Sequence, residues 1–242
     1  MTPARFLAWL LACLSVFAWL PARADTALSV YQSFRGSVNF TGTQVTLRAS
    51  DNNSNGGACA LVRYGTATAT LKGIPSGATV LSAQLYWAAS GSTVDNSVTM
   101  DGNTVTARST FTSATIGNGY NYFAAAADVT AAVKTKGNNT YTFSGLSVST
   151  GSPWCDSQGV VGGFAMVVVY SLPSEPFRML NIYEGFQYFR YNGLTINLGN
   201  FNVPDPLPSN VTGRIGHITW EGDSTLSGGG ESLLFNNTEL TD

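Results

Sequence analysis

The chain has 242 residues with 12 basic and 14 acidic side chains, and only 11% of it is charged. So weakly charged and slightly acidic a chain lacks the basic patch that a phosphate backbone requires, which excludes nucleic acid as an expected partner. Few Glu and Lys residues beside 26 glycines argue against helical surfaces and for an all-β protein of short strands.

The first element in chain order is a targeting segment. Arg5 supplies a positive charge, residues 6–20 are apolar apart from Ser15, and Pro21-Ala22-Arg23-Ala24 provides an A-x-A cleavage site. The apolar stretch is shorter than the roughly 20 residues a spanning helix needs. Residues 1–24 therefore read as a signal peptide, and residues 25–242 as a single β-sandwich module that is secreted or held at the cell surface. Leu10-Leu11-Ala12-Cys13 loosely resembles a lipoprotein box, but apolar residues continue past Cys13, which favours plain export. No long apolar run follows, so no transmembrane segment is expected after the signal. Removing Arg5 and Arg23 leaves ten basic residues against fourteen acidic, a net charge of −4. The end of the chain shows no sorting signal or hydrophobic anchor, as expected of a free module or the amino-terminal part of a longer protein.

After cleavage Cys59 and Cys155 remain, and two cysteines in an exported chain most often pair; metal binding or a reactive thiol is the alternative, disfavoured because neither has a neighbouring Cys or His. Closing so long a loop contributes on the order of 4–5 kcal/mol in the chain-entropy description.

Strand signals then recur at short spacing. Residues 38–47 read as strand with a turn at Thr41-Gly42, and 67–71 as a strand leading into the turn Ile74-Pro75-Ser76-Gly77. Leu81, Ala83, Leu85 and Trp87 alternate with Ser82, Gln84 and Tyr86, the pattern of a strand with one face on a core. Asp101-Gly102-Asn103 reads as a hairpin loop. The alanine-rich segment 123–133 reads as a short helix capped by Asp128 or Thr130, and 139–143 as strand. In residues 164–170 both parity classes are apolar, which predicts an interior strand covered on both sides, entered through Gly162-Gly163. Strands are also expected over 180–188, 194–198 and 214–220, with Asn192-Gly193 as a turn and Pro204, Pro206 and Pro208 as a stiff connector. These elements make two packed antiparallel sheets with one short helix.

Four blocks carry a resemblance: "IPSGATVLSAQLYWAAS" (74–90), "AADVTAAVKTKGNNTYTFSGL" (126–146), "GGFAMVVVYSLPSEPFRMLNIYEGFQ" (162–187) and "GRIGHITWEGD" (213–223). In this order they resemble the amino-terminal module of large exported bacterial surface proteins, adhesin-like chains that often carry Ig-like repeats downstream. The second block also resembles galactose-binding-like jelly rolls. The resemblance implies a jelly-roll β-sandwich and no catalytic residues.

Four groups of residues bear on chemistry. Asp51, Asn53 and Asn55 have the D-x-N-x-N-G spacing of a calcium loop, but Val62 stands where the bidentate Glu belongs and a single charged ligand makes a weak site. A polar loop accounts for them more simply. Glu221 and Asp223 lie two apart, an acidic site that invites a glycosidase reading with Glu184 or Glu231 as a further carboxylate. Catalytic pairs are usually drawn from separate strands, so turn chemistry is preferred. His217 is the single histidine, with no G-x-S-x-G elbow before it, so no triad is expected. In "GFQYFRYNG" (185–193), Tyr188 and Tyr191 are candidate platforms for stacking on a ligand, beside the simpler reading of core and edge packing. The sequence thus points to a non-catalytic surface module that presents loops to a glycan, a protein or its own downstream domains, with no cofactor and no firm metal site. Alternatives are a calcium-assisted carbohydrate-binding module and a glycan-active hydrolase.

Overall fold

The longest strand is also the first. In a computed structural model, which describes residues 25–49, 59–62, 65–113, 119–155, 159–189, 193–203, 213–220 and 232–240, β1 runs over Thr26–Thr46. The remaining strands are β2 (Ala67–Thr70), β3 (Thr79–Ser90), β4 (Ser97–Met100), β5 (Asn103–Thr106), β6 (Ser109–Thr112) and β7 (Tyr122–Asp128). A helix α1 (Thr130–Lys136) precedes β8 (Thr140–Ser144), β9 (Gly162–Ser171), β10 (Phe177–Phe186), β11 (Leu233–Phe235) and β12 (Thr238–Leu240). The chain is mostly β, with antiparallel pairing throughout these strands.

Three sheets result: six strands in the order β10-β1-β9-β3-β7-β6, four in the order β2-β8-β4-β5, and the hairpin β11-β12. The expected turn at Thr41-Gly42 is not made, and β1 continues through it. Gly42 pairs with Val167, and a Cβ at Gly42 would stand 2.7 Å from the Met166 carbonyl oxygen. Glycine here lets two backbones approach rather than reverse the chain. The Asp101-Gly102 hairpin does form, both residues having the positive φ that a tight two-residue turn demands.

One face of the six-stranded sheet packs on the four-stranded sheet. Leu85, Trp87, Phe164, Met166 and Val168 meet Tyr141, Phe143, Val98 and Met100, all buried, and Phe143 stacks on Phe164 with ring centroids 5.1 Å apart. At about 2 kcal/mol for each large buried side chain, this layer supplies most of the cohesion.

The second face is covered differently. The first half of β1, up to Ser37, pairs with β10, while Val38–Thr46 pairs with β9. In the sheet order β10 stands three places from β3, yet Tyr86 of β3 reaches Glu184 of β10, and Ser82 of β3 reaches Gln32 of β1. The two-stranded ribbon of β1 and β10 therefore folds back across the sheet. It buries the side opposite the core, where Ala88, Ala124, Ala126 and Ala165 present a low surface. Both faces of β9 are covered, as its sequence requires.

This double burial also corrects the helix boundary. The alanine run belongs to β7, with Ala125 and Ala127 in the core cluster and Ala124 and Ala126 buried outside it. Alanine's helix preference is a fraction of a kcal/mol per residue, and packing on two sides outweighs it. The helix starts only at Thr130. Neither Asp128 nor Thr130 is the N-cap: that position is Val129, which makes no side-chain cap bond, while Asp128 accepts the Thr130 N–H at 2.8 Å and the Thr130 hydroxyl accepts the Ala83 N–H at 2.9 Å at the junction from β7 to α1.

Residues 193–203 and 213–220 were expected to contain strands but join no ladder. Side chains hold them instead. Asn181 donates to the Asn200 carbonyl at 2.8 Å, and Arg214 donates to Asn39 Oδ1 at 2.7 Å while stacking over the Phe40 ring. Leu194, Ile196 and Ile215 are exposed, so their alternation has no buried face to serve. No helix among the described residues is long and apolar enough to cross a membrane.

Candidate functional site

Two places gather polar chemistry, and they differ in how much of it is already engaged. The first lies under the ribbon. Arg108, just ahead of β6, donates from Nη1 to Glu184 Oε2 at 2.9 Å and from Nη2 to Oε1, and its Nε donates to Gln84 Oε1 at 3.1 Å. The guanidinium lies over the Tyr31 ring, 3.5 Å from its centroid. Tyr86 donates its hydroxyl to Glu184 Oε1 at 2.8 Å. Gln84, fully buried, donates to Ser82 Oγ at 2.9 Å and to Asp128 Oδ2 at 3.2 Å, and Ser82 donates to Gln32 at 2.9 Å.

The electrostatics follow from these contacts. Burial and then the Glu184 carboxylate push the Tyr86 phenol far above its ordinary range. Burial acts to lower the Arg108 guanidinium, but hydrogen bonds and charge from Glu184 outweigh it and leave it raised. Burial acts to raise Asp128, but its hydrogen bonds from Thr130 and Gln84 and the Arg108 charge hold it below the usual carboxylate range. Each charged group is stabilised in its ordinary form by neighbours, which is the signature of a structural network rather than a poised acid or base.

The second place is a cavity of about 220 Å³ at the end of the sheet where β3 stops and β7 begins. It is walled by the loop after β3 and by residues 147–149 after β8. Backbone ties fix both walls. The Ser149 N–H donates to the Ser90 carbonyl at 2.8 Å, Ser90 Oγ donates to the Ser149 carbonyl at 2.7 Å, and Gly91 N–H donates to the Asn121 carbonyl at 2.9 Å. Trp87 Nε1 holds the Asp95 carbonyl at 3.0 Å, and the Ser147 N–H donates to Asp95 Oδ2. A few residues beyond, Cys155 is disulfide-bonded to Cys59, with 5.4 Å between their Cα atoms.

Of the residues singled out in the sequence, Asp51, Asn53, Asn55, Tyr191, Asn192, Pro204, Pro206, Pro208, Glu221, Asp223 and Glu231 lie outside the described residues, as does the signal segment 1–24. Tyr188 is half-buried, its ring stacked on Tyr122 with centroids 6.0 Å apart and planes 10° from parallel. His217 is exposed and belongs to no strand. Among the described residues no group of three His, Cys, Asp or Glu side chains stands close enough to hold a metal. Glu184, weighed as a second carboxylate for Glu221, is engaged with Arg108 and Tyr86. The Arg108 network had no local signal, because Gln84 and Tyr86 occupy the positions of an ordinary polar strand face. The cavity had none either, since its hydroxyls come from residue types abundant along the whole chain.

No curated protein and no solved structure matches the chain. The family described as "Protein of unknown function (DUF3344)" matches residues 27–242, from the first strand to the last residue. With that match covering nearly all of its length, the chain belongs to the DUF3344 family.

Proposed function

We propose that the chain is a non-catalytic, adhesin-like module, exported to the cell surface or beyond, whose end loops recognise a surface glycan or a protein. The reading takes the fold as a jelly-roll sandwich and the chain as the amino-terminal part of a surface protein with further domains downstream. The observation that carries it is the division of polar groups. Glu184, Asp128 and Glu175 are spent on partners inside the fold, whereas around the loop-end cavity the hydroxyls of Ser92, Thr93, Ser147 and Ser149 have no partner among the described residues. A catalytic carboxylate needs a partner that shifts it toward the working pH, whereas Asp128 and Glu175 are held below the usual carboxylate range and Glu184 is occupied by Arg108 and Tyr86. The Cys59–Cys155 bond beside the loop end suits an oxidising compartment and stiffens the part of the module that does the recognising.

The test is to screen the purified mature chain against glycan and protein arrays while following glycan substrates for product. Saturable binding without turnover is expected. Hydrolysis that disappears in Glu221→Gln would replace this reading with the enzymatic one.

A further inference from the structure

The loop-end cavity has a composition that selects its ligand. Its floor is shaped by Gly91, whose φ of +154° lies in a region that side chains rarely adopt. A Cβ there would stand 3.3 Å from Phe123 Cε1 and 3.3 Å from Ser149 Oγ, so glycine keeps the edge of an aromatic ring open to the cavity. The lining also includes Ser92, Thr93, Ser147 and Ser149, whose hydroxyls have no hydrogen-bond partner among the described residues. Asp95 adds a carboxylate with Oδ2 engaged by Ser147 and Oδ1 without a partner among the described residues.

Three ligand classes fail against this lining. An anion would face Asp95 with no cationic side chain among the residues that line the cavity. A wholly apolar ligand would strand the carboxylate and four hydroxyls away from water. A metal ion would find one carboxylate and no second acidic or imidazole ligand. A small polyol meets every demand, because each of its hydroxyls both donates and accepts, and its C–H face suits a ring edge. The volume lies below the roughly 300 Å³ at which sites for drug-sized molecules begin, which limits the occupant to one ring.

We propose that this cavity binds a single neutral hexose unit, as a free sugar or the end of a glycan, without a metal. The proposal rests on the recognition reading above and gives it a location, away from Tyr188. The walls are fixed in advance by the Ser90–Ser149 bonds and the nearby disulfide, so little ordering is needed on binding.

The experiment is a titration of the ¹⁵N-labelled mature chain with glucose, galactose, mannose and N-acetylglucosamine, each with and without EDTA. Saturable shifts are expected at residues 90–95 and 147–149 for at least one sugar, unchanged by EDTA. Thr93→Val, at the exposed lip, and Asp95→Asn should each weaken binding by about tenfold, the loss of one hydrogen bond to the ligand. Thr93→Val keeps the test decisive where Asp95→Asn disturbs folding. Absence of shifts for every sugar, or wild-type affinity in both variants, would overturn the proposal. Sugar shifts centred on residues 186–189 would sink this cavity while leaving the recognition reading standing, whereas sugar turnover would sink the recognition reading itself.

Discussion

On one face of the central sheet Trp87, Phe164 and Met166 meet the four-stranded sheet through apolar packing. On the other, Ser82, Gln84 and Tyr86 of the same strand meet the β1–β10 ribbon through a chain of hydrogen bonds ending at Arg108 and Glu184. Apolar contact is strong but tolerant of sliding, whereas hydrogen bonds demand one register. The bulges fall where the polar face needs them. Register shifts between Val30 and Gln32 in β1 and between Val80 and Ser82 in β3 bring Gln32 and Ser82 to 2.9 Å. One face thus supplies cohesion, and the other fixes where the ribbon lies.

The comparison can be broken at either face. The largest effect is expected on the apolar side: Phe164→Ala should cost about 3–5 kcal/mol, read as a shift in the urea midpoint or as failure to accumulate. Cys155→Ser, at the loop end, should cost about 2–5 kcal/mol by the same measurement, and reductant should have no further effect on that variant. On the polar side, Glu184→Ala leaves the guanidinium of Arg108 unpaired in a site only 22% exposed, and should cost about 2–3 kcal/mol. The double variant Arg108→Met, Glu184→Leu should recover most of that loss, because apolar replacement removes both desolvation penalties. A double variant as unstable as the single one would mean that the ion pair supplies cohesion as well as register.

Acid sharpens the contrast further. Asp128 and Glu175 are both held below their ordinary pKa, Glu175 by its bonds from Arg178 and Asn39. Groups depressed by folding stabilise the native state above their unfolded pKa, and that stabilisation disappears as pH falls through the folded value. The melting temperature should therefore be flat from about pH 7 to about pH 5 and fall below about pH 4. The smallest effect is expected in the segment after β10: Ile196→Ser, exposed and without a ladder, should stay within about 0.5 kcal/mol of wild type.

What was legible in the sequence was whatever a single strand writes in its own alternation. Residues 164–170 announce burial on both sides because both parity classes are apolar, and Asp101-Gly102 announces a turn because few residues accept positive φ. The sulfur pairing followed from an expected export and a count of two. What stayed hidden depends on distant residues. Arg108 and Glu184 are 76 positions apart, and nothing near either names the other. Residues 124–127 read as helix because local preference is all that one segment reports, and the ribbon that buries them is assembled from β1 and β10, strands far apart in the chain. The cavity draws on the β3–β4 loop, the start of β7 and the turnless stretch after β8, so no spacing pattern encodes it. The reverse error occurred at 194–198, where alternation is present and the neighbour it needs is not.

The position of β1 carries a consequence for how the molecule assembles. Thr46 pairs with Gly163 and Thr26 with Phe186, so the strand synthesised first waits for partners that emerge more than a hundred residues later. Loop closure over such a distance is entropically slow, and topologies dominated by remote pairings fold late. A chain cut before Gly162 has nowhere to dock its longest strand. Until β9 and β10 arrive the six-stranded sheet stays split, with β3, β7 and β6 already able to pair and β1 without a ladder to join.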